Sequence, residues 1–248
     1  MTTRYKTRGF IFKKADRDEA DRSFSIFTED FGRLEIFAKA IRKINSKLRA
    51  GIDVFYFSDV EFICGKNKKT LTDAAAISNV GNIINDSKKI EVAKKISVAI
   101  DDFVRGQEKD ELIFNLLNEV FLKINSQEFK IKNYELAYFY FFWNFLSVLG
   151  YHPEILKCAV CREKLNPYNI YFSNKHGGII CKKCVSFDKD ALKINSDVVK
   201  ILRLILKKDW QTLSKLKIEL SSQNLLIKIS DNYYKYVLPV SLSGSNKI

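Results

Sequence analysis

Residues 23–38 read Ser23-Phe24-Ser25-Ile26-Phe27-Thr28-Glu29-Asp30-Phe31-Gly32-Arg33-Leu34-Glu35-Ile36-Phe37-Ala38, two alternating runs around a turn. Alternation sends every second side chain to one face, so each run predicts a half-buried strand. Glu29-Asp30-Phe31-Gly32 closes the two into a hairpin. Outward from it, Tyr5–Phe12 is strand-like, and a longer run extends from Val54 to Cys64. Gly65-Lys66-Asn67-Lys68-Lys69 is a charged turn, and Thr70–Ile77 supplies a fifth strand. Five short strands with a long basic connection between the third and fourth predict a small barrel of the OB type.

The chain then changes period. Lys88–Val104 places Val92, Ile96, Ala99, Ile100 and Phe103 on one stripe, and Asp110–Ile124 does the same with Ile113, Leu116, Leu117, Val120 and Phe121. Asn133 is the expected cap of a third helix, Tyr134–Leu149, which ends at Gly150 with Pro153 beyond. That helix holds seven aromatics between Tyr138 and Phe145. An aromatic stripe can stack bases, but a helix apolar on nearly all faces reads first as the centre of a bundle. Further on, Ser196 is the expected cap of a helix to about Lys208, and helical segments run through Lys217 and Leu225 to Val237. The tail Ser241–Ile248 is expected to fray.

Between these helical parts lie two CxxC pairs, Cys158-Ala159-Val160-Cys161 and Cys181-Lys182-Lys183-Cys184. Each turn points two sulfurs at one spot, and two turns make the tetrahedral S₄ set that Zn²⁺ prefers. Asn166-Pro167 and Gly177-Gly178 let the intervening ribbon fold back. Four protein ligands leave no open position for water or substrate, so one structural zinc per chain is expected. His152-Pro153-Glu154 ahead of the first pair superficially matches part of the zinc-deaminase set. Lys157 stands where that motif needs a Pro, however, and a second CxxC competes for the metal. His152 and His176 are read as loop and ribbon-turn residues, and Cys64 as a small core residue.

Composition, with 46% hydrophobic and 29% charged residues, is that of a globular protein. Met1–Lys6 has no apolar signal region, and the most apolar stretch, Leu136–Leu149, is too short to span a bilayer, so a cytoplasmic location off the membrane is expected. The net charge of +13 is unevenly placed. Residues 1–50, the cysteine module and the C-terminal part are each basic, whereas 51–156 are mildly acidic. Residues 37–50 hold five basic residues and no acid. Such a distribution suits a polyanion such as nucleic acid, with a solvated Lys-rich surface as the plainer alternative. No Gly-rich phosphate loop and no nucleophile–base pair is visible, so the chain reads as a non-enzyme.

In this order the pieces resemble the bacterial recombination-repair family RecO. The resemblance rests on Gly9-Phe10-Ile11, Glu19-Ala20-Asp21-Arg22 and Phe27-Thr28-Glu29-Asp30-Phe31-Gly32-Arg33-Leu34. It continues through Ala38-Lys39-Ala40-Ile41-Arg42-Lys43, Ser46-Lys47-Leu48-Arg49-Ala50-Gly51 and Leu149-Gly150-Tyr151-His152-Pro153-Glu154, which leads into the first CxxC pair. The family usually has Gly after the lysine of its basic loop, where this chain has Ala40, and several members lack the cysteines. After Gly51 the match is poor. The implied fold is α+β: an OB-fold barrel over residues 1–80, a helical bundle over 81–156, a zinc module over 157–187, and C-terminal helices over 188–248.

The implied role is that of a recombination mediator. It would bind single- and double-stranded DNA, anneal complementary strands and, with RecR, help load RecA onto strands coated by single-stranded-DNA-binding protein. DNA contact is expected at Lys39, Arg42, Lys43, Lys47 and Arg49, flanked by Arg22 and Arg33. The acidic, Phe-ended tail of the single-stranded-DNA-binding protein is expected where the aromatic helix and Lys200, Arg203 and Lys207 could frame an apolar pocket. Two other classes stay open from the residues alone: a zinc-ribbon and barrel factor for RNA or polymerase, and a protein adaptor docking through the zinc module.

Overall fold

The computed structural model describes residues 3–77, 83, 85–125 and 134–244. Their contacts divide the chain into two compact units, Met1–Tyr138 and Phe139–Ile248. The expected helix cap Asn133 lies outside the described residues.

The first unit opens with five strands: β1 (Arg4–Arg17), β2 (Asp21–Thr28), β3 (Gly32–Ala38), β4 (Phe57–Cys64) and β5 (Lys69–Ala76). They close into a barrel in the order β1-β2-β3-β5-β4, the OB arrangement. The β2–β3 hairpin pairs Ile26 with Leu34 and Phe24 with Ile36, so the alternating apolar residues of both strands share the inner face. Phe24, Ile26, Leu34, Ile36, Val60 and Phe62 form the centre of the barrel core. Gly32 sits at φ +61° at the hairpin turn, where a Cβ would strike the Glu108 carbonyl. β1 is longer than its alternation suggested, because a bulge between Ile11 and Lys13 bends it around two neighbours.

Two helices complete this unit, α1 (Ser87–Phe103) and α2 (Glu111–Asn125). Asp86 caps α1 by accepting from the Lys88 and Lys89 amides. The stripes expected on both helices are the buried faces. Phe121 lies 4.3 Å from Phe10 and Phe114 lies 6.0 Å from Phe57, so α2 packs on the barrel through aromatic contacts.

The second unit contains most of α3 (Glu135–Val148), then β6 (Ile170–Ser173), β7 (Gly178–Cys181), β8 (Leu192–Ile194), α4 (Ser196–Leu206), α5 (Trp210–Leu213) and α6 (Leu220–Gly244). The strands form a sheet in the order β7-β6-β8. Tyr140, Phe141, Phe142, Trp143 and Phe145 of α3 are all fully buried, the bundle-centre reading of that stripe. Trp143 stacks on Tyr233 at 5.3 Å, meets Phe172 edge-on at 5.6 Å, and donates its indole N–H to Ser230. Asn144, the one amide in this apolar run, donates to the Tyr140 and Ile205 carbonyls.

Some local expectations are corrected. The cap of α4 is Asn195, whose side chain accepts from the Val198 amide, and Ser196 is the first helical residue. Lys217 lies in an irregular link between α5 and α6. Residues 241–244 belong to α6, which outlasts the frayed end expected from its polar sequence. Cys64 is exposed: it forms the last pair of the β4–β5 ladder, with Lys69, at the end of β4 before the Gly65 turn.

Candidate metal centre and nucleic-acid interface

The four CxxC sulfurs lie within 4.8 Å of one another. The first turn is shaped by the Arg162 amide donating to the Cys158 carbonyl and the Cys158 amide donating to Glu163. It is held to β7 by the Ala159 amide donating to Ile179 and by the pairing of Glu154 with Gly178. A Cβ at Gly178 would collide with the Glu154 backbone, so this close approach requires glycine. Cys181 ends β7, and Cys184 sits in the 3-10 turn Lys182–Phe187 that follows. Cys158 and Cys184 are buried, Cys181 is half-buried and Cys161 is exposed.

Electrostatics in this cluster favour a cation. Burial pushes the Cys158 thiol up, but the backbone N–H groups of Cys161, Cys181 and Val160 outweigh it and settle it at about 6. Burial and the three neighbouring sulfurs push Cys184 up to about 12. One sulfur therefore ionises readily and opposes ionisation of another, a conflict that a divalent cation bound by four thiolates removes. The four cysteines could thus hold one metal ion. His152 Nδ1 lies 3.1 Å from Ser147 Oγ, and Glu154 accepts from the Leu156 amide and the Arg162 guanidinium. Neither joins the sulfur cluster, and neither does His176.

The basic residues separate by what they already touch. Lys39, Lys43, Lys47 and Arg49 are exposed on the β3–β4 connection and make no ion pair among the described residues. Arg42 lies beside them, 3.7 Å from Asp16. Arg22 donates to Asp16 at 2.7 Å. Arg33, the other expected flanking contact, is engaged within the protein: its guanidinium donates to the Asp101 and Val104 carbonyls and pairs with the Asp101 carboxylate. It also lies 5.1 Å from the Phe12 ring centroid. Arg33 clamps α1 to the barrel. Burial raises the Asp101 carboxyl, but hydrogen bonds from Lys13 and Arg33 hold it below the usual carboxylate range.

Ala40 at the start of this loop adopts φ +52°, a left-handed conformation that an alanine pays about 1–2 kcal/mol to reach. Its N–H donates to Asp21 Oδ1 at 2.7 Å, which holds the turn in place. Ala40→Gly is expected to raise stability by about 0.5–1 kcal/mol in urea unfolding, the relieved strain exceeding the glycine's extra chain entropy.

The barrel also gathers, around the charged turn Gly65–Lys69, residues that sequence does not mark as a site. Arg17, Glu35, Phe37, Lys66, Lys68 and Lys69 line a groove of about 740 Å³ beside the β4–β5 turn. In the second unit, Lys200, Arg203 and Lys207 share one face of α4 and line a groove of about 540 Å³ with Leu204, Leu216 and Ile218. The aromatic helix does not frame that groove, because its rings are enclosed in the core; the α5–α6 link does. Arg203 also donates to the Ile155 carbonyl, and Lys200 pairs with Asp197.

Two family models cover the chain: recombination protein O N terminal over residues 1–80 and recombination protein O C terminal over residues 86–245. A DNA repair protein RecO of Dehalococcoides mccartyi is 33% identical over 86% of this chain and 83% of the relative. RecO proteins of Caldanaerobacter subterraneus and Acetivibrio thermocellus are 29% and 27% identical, over 86% and 93% of this chain and 84% and 90% of theirs. Among the described residues, no helix is long and apolar enough to cross a membrane.

Proposed function

The chain belongs to the RecO family of DNA repair proteins, and from that premise we propose that it is a non-enzymatic mediator that binds single- and double-stranded DNA and anneals complementary strands. One observation carries this reading: four exposed cations without ion-pair partners project from a single loop of a closed OB-type barrel. Such a surface gains most from a polyanion, because each neutralised phosphate releases condensed counterions. Mixed contacts by Arg22 and Arg42, which share Asp16, would extend the track once phosphate competes with that carboxylate.

The metal in this reading is Zn²⁺, one per chain, held by Cys158, Cys161, Cys181 and Cys184. It would contribute folding energy and a fixed geometry to the knuckle, with the S₄ set leaving no position for a reacting water. The partners are RecR, RecA indirectly, and the acidic tail of the single-stranded-DNA-binding protein. The α4 groove fits that tail chemically, since Lys200, Arg203 and Lys207 rim an apolar floor of Leu204, Leu216 and Ile218.

Strand annealing tests the central claim. Two complementary oligonucleotides, one carrying a donor dye and the other an acceptor, should anneal at least ten-fold faster with the protein than without it, with binding weakened by added salt. A preference for RNA without acceleration of DNA annealing would instead favour an RNA-directed barrel factor.

A further inference from the structure

We propose that the groove beside the β4–β5 turn is a single-strand-selective subsite, with Phe37 as its base-stacking platform. The inference rests on the reading of the barrel as a DNA-binding surface and adds what the basic loop cannot supply. Residues 38–50 contain no aromatic side chain, so that loop can contact phosphates but offers no ring on which a base could stack. The groove has both kinds of group.

Strand register creates the platform. β3 meets β5 through two residue pairs only, Ile36 with Lys69 and Phe37 with Thr70. Ile36 points into the core and is fully buried, so Phe37 stands on the outer face, half-buried at the edge of the groove. The Gly65 amide donates to the Lys68 carbonyl, closing the turn so that Lys68 Nζ lies over the Phe37 ring at 4.7 Å from its centroid. Lys66 on the same turn makes no hydrogen bond or ion pair among the described residues. Lys69 donates to Gln107, and Arg17 is 3.5 Å from Glu35.

An exposed cation–π contact is weaker than base–aromatic stacking, so a base can replace Lys68 on the ring. The released ammonium is then beside the phosphates flanking that base. Only an unpaired base presents its face in this way; in a duplex the faces are covered by neighbours. The carboxylates of Asp18 and Glu35 line the same groove, which tempers its cations and sets it apart from the acid-free loop. Single-stranded DNA is the ligand that uses ring and cations together.

The test uses the full chain and a single-stranded oligonucleotide carrying 2-aminopurine. Binding should quench the fluorophore in wild type. Phe37→Leu should weaken single-strand affinity by roughly 5- to 150-fold, the range expected from loss of one stacked base, and leave duplex affinity within about two-fold. Phe37→Tyr, which keeps the ring, should retain single-strand affinity and quenching. No quenching with wild-type protein that does bind the strand, or equal losses on single strand and duplex for Phe37→Leu, would overturn the subsite. Both outcomes would leave the barrel's DNA role standing. Failure of the wild type to bind any DNA would instead reject the underlying reading and the subsite with it. If Phe37→Leu does not fold, the wild-type quench and the Tyr variant still decide.

Discussion

Purified under reducing conditions without chelator, the protein is expected to contain one zinc per chain, and replacement of Cys158 or Cys184 by Ser should lower that content at least ten-fold. These two sulfurs are buried in a small cluster with Ile180, packed by Leu165 and Tyr171. A cluster of that size cannot offset the ordering entropy of the ribbon by apolar burial alone. Structural zinc contributes about 10–16 kcal/mol in finger peptides, comparable with the whole net stability of a domain. Metal loss should therefore unfold the knuckle and lower the melting temperature by roughly 10 °C or more. The Ala159–Ile179 and Glu154–Gly177 hydrogen bonds, which join the first turn to the ribbon, should lose amide-exchange protection. Because thiolates bind the metal, protons compete with it, and zinc should be released as pH falls. Metal analysis and exchange measured on the same sample check both points. A zinc-free, fully protected protein would remove the structural role.

Replacing Lys39, Arg42, Lys43, Lys47 and Arg49 together by Ala is expected to weaken binding to every DNA sequence alike. The four cations without ion pairs give up no internal contact when they bind phosphate, so their contribution appears almost entirely in DNA affinity. Each lost phosphate contact should flatten the slope of log K against log salt by about 0.7–0.9, and the full set of five by roughly 3.5 to 4.5. Stability should change little, because these side chains are exposed and lie outside the core. Titrations at several salt concentrations check this. An unchanged slope would move the main electrostatic contact to another surface. Arg33→Ala should behave in the opposite way and lower stability more than DNA affinity, since its guanidinium joins β3 to α1.

The alternation of residues 23–38, the stripes of α1 and α2 and the CxxC spacing could be read directly because each is a local pattern with a fixed geometric consequence. Period two places Ile26 and Leu34 on one face, period 3.6 places Ile96 and Ile100 on one stripe, and two residues between cysteines aim both sulfurs at one point. Net charge likewise marked residues 37–50 as basic without any knowledge of the fold.

What a side chain meets across the molecule was decided by tertiary structure alone. Arg33 and Lys39 look alike in sequence, but the chain returns at Asp101 and Val104 to engage only the first. Cys64 follows a buried strand pattern, but it forms the last β4–β5 pair, with Lys69 beside the turn, and lines the groove there, so the residue is exposed. The aromatic residues of α3 could have served stacking or core, and their enclosure by Phe172, Tyr233 and Tyr234 made them core. The groove at Phe37 depends on the parallel meeting of β3 and β5, strands about thirty residues apart, whose register is a property of barrel closure rather than of either strand. Local periodicity determines the elements. Non-local pairing, which follows from closure and core packing, determines which of their polar residues remain free to bind.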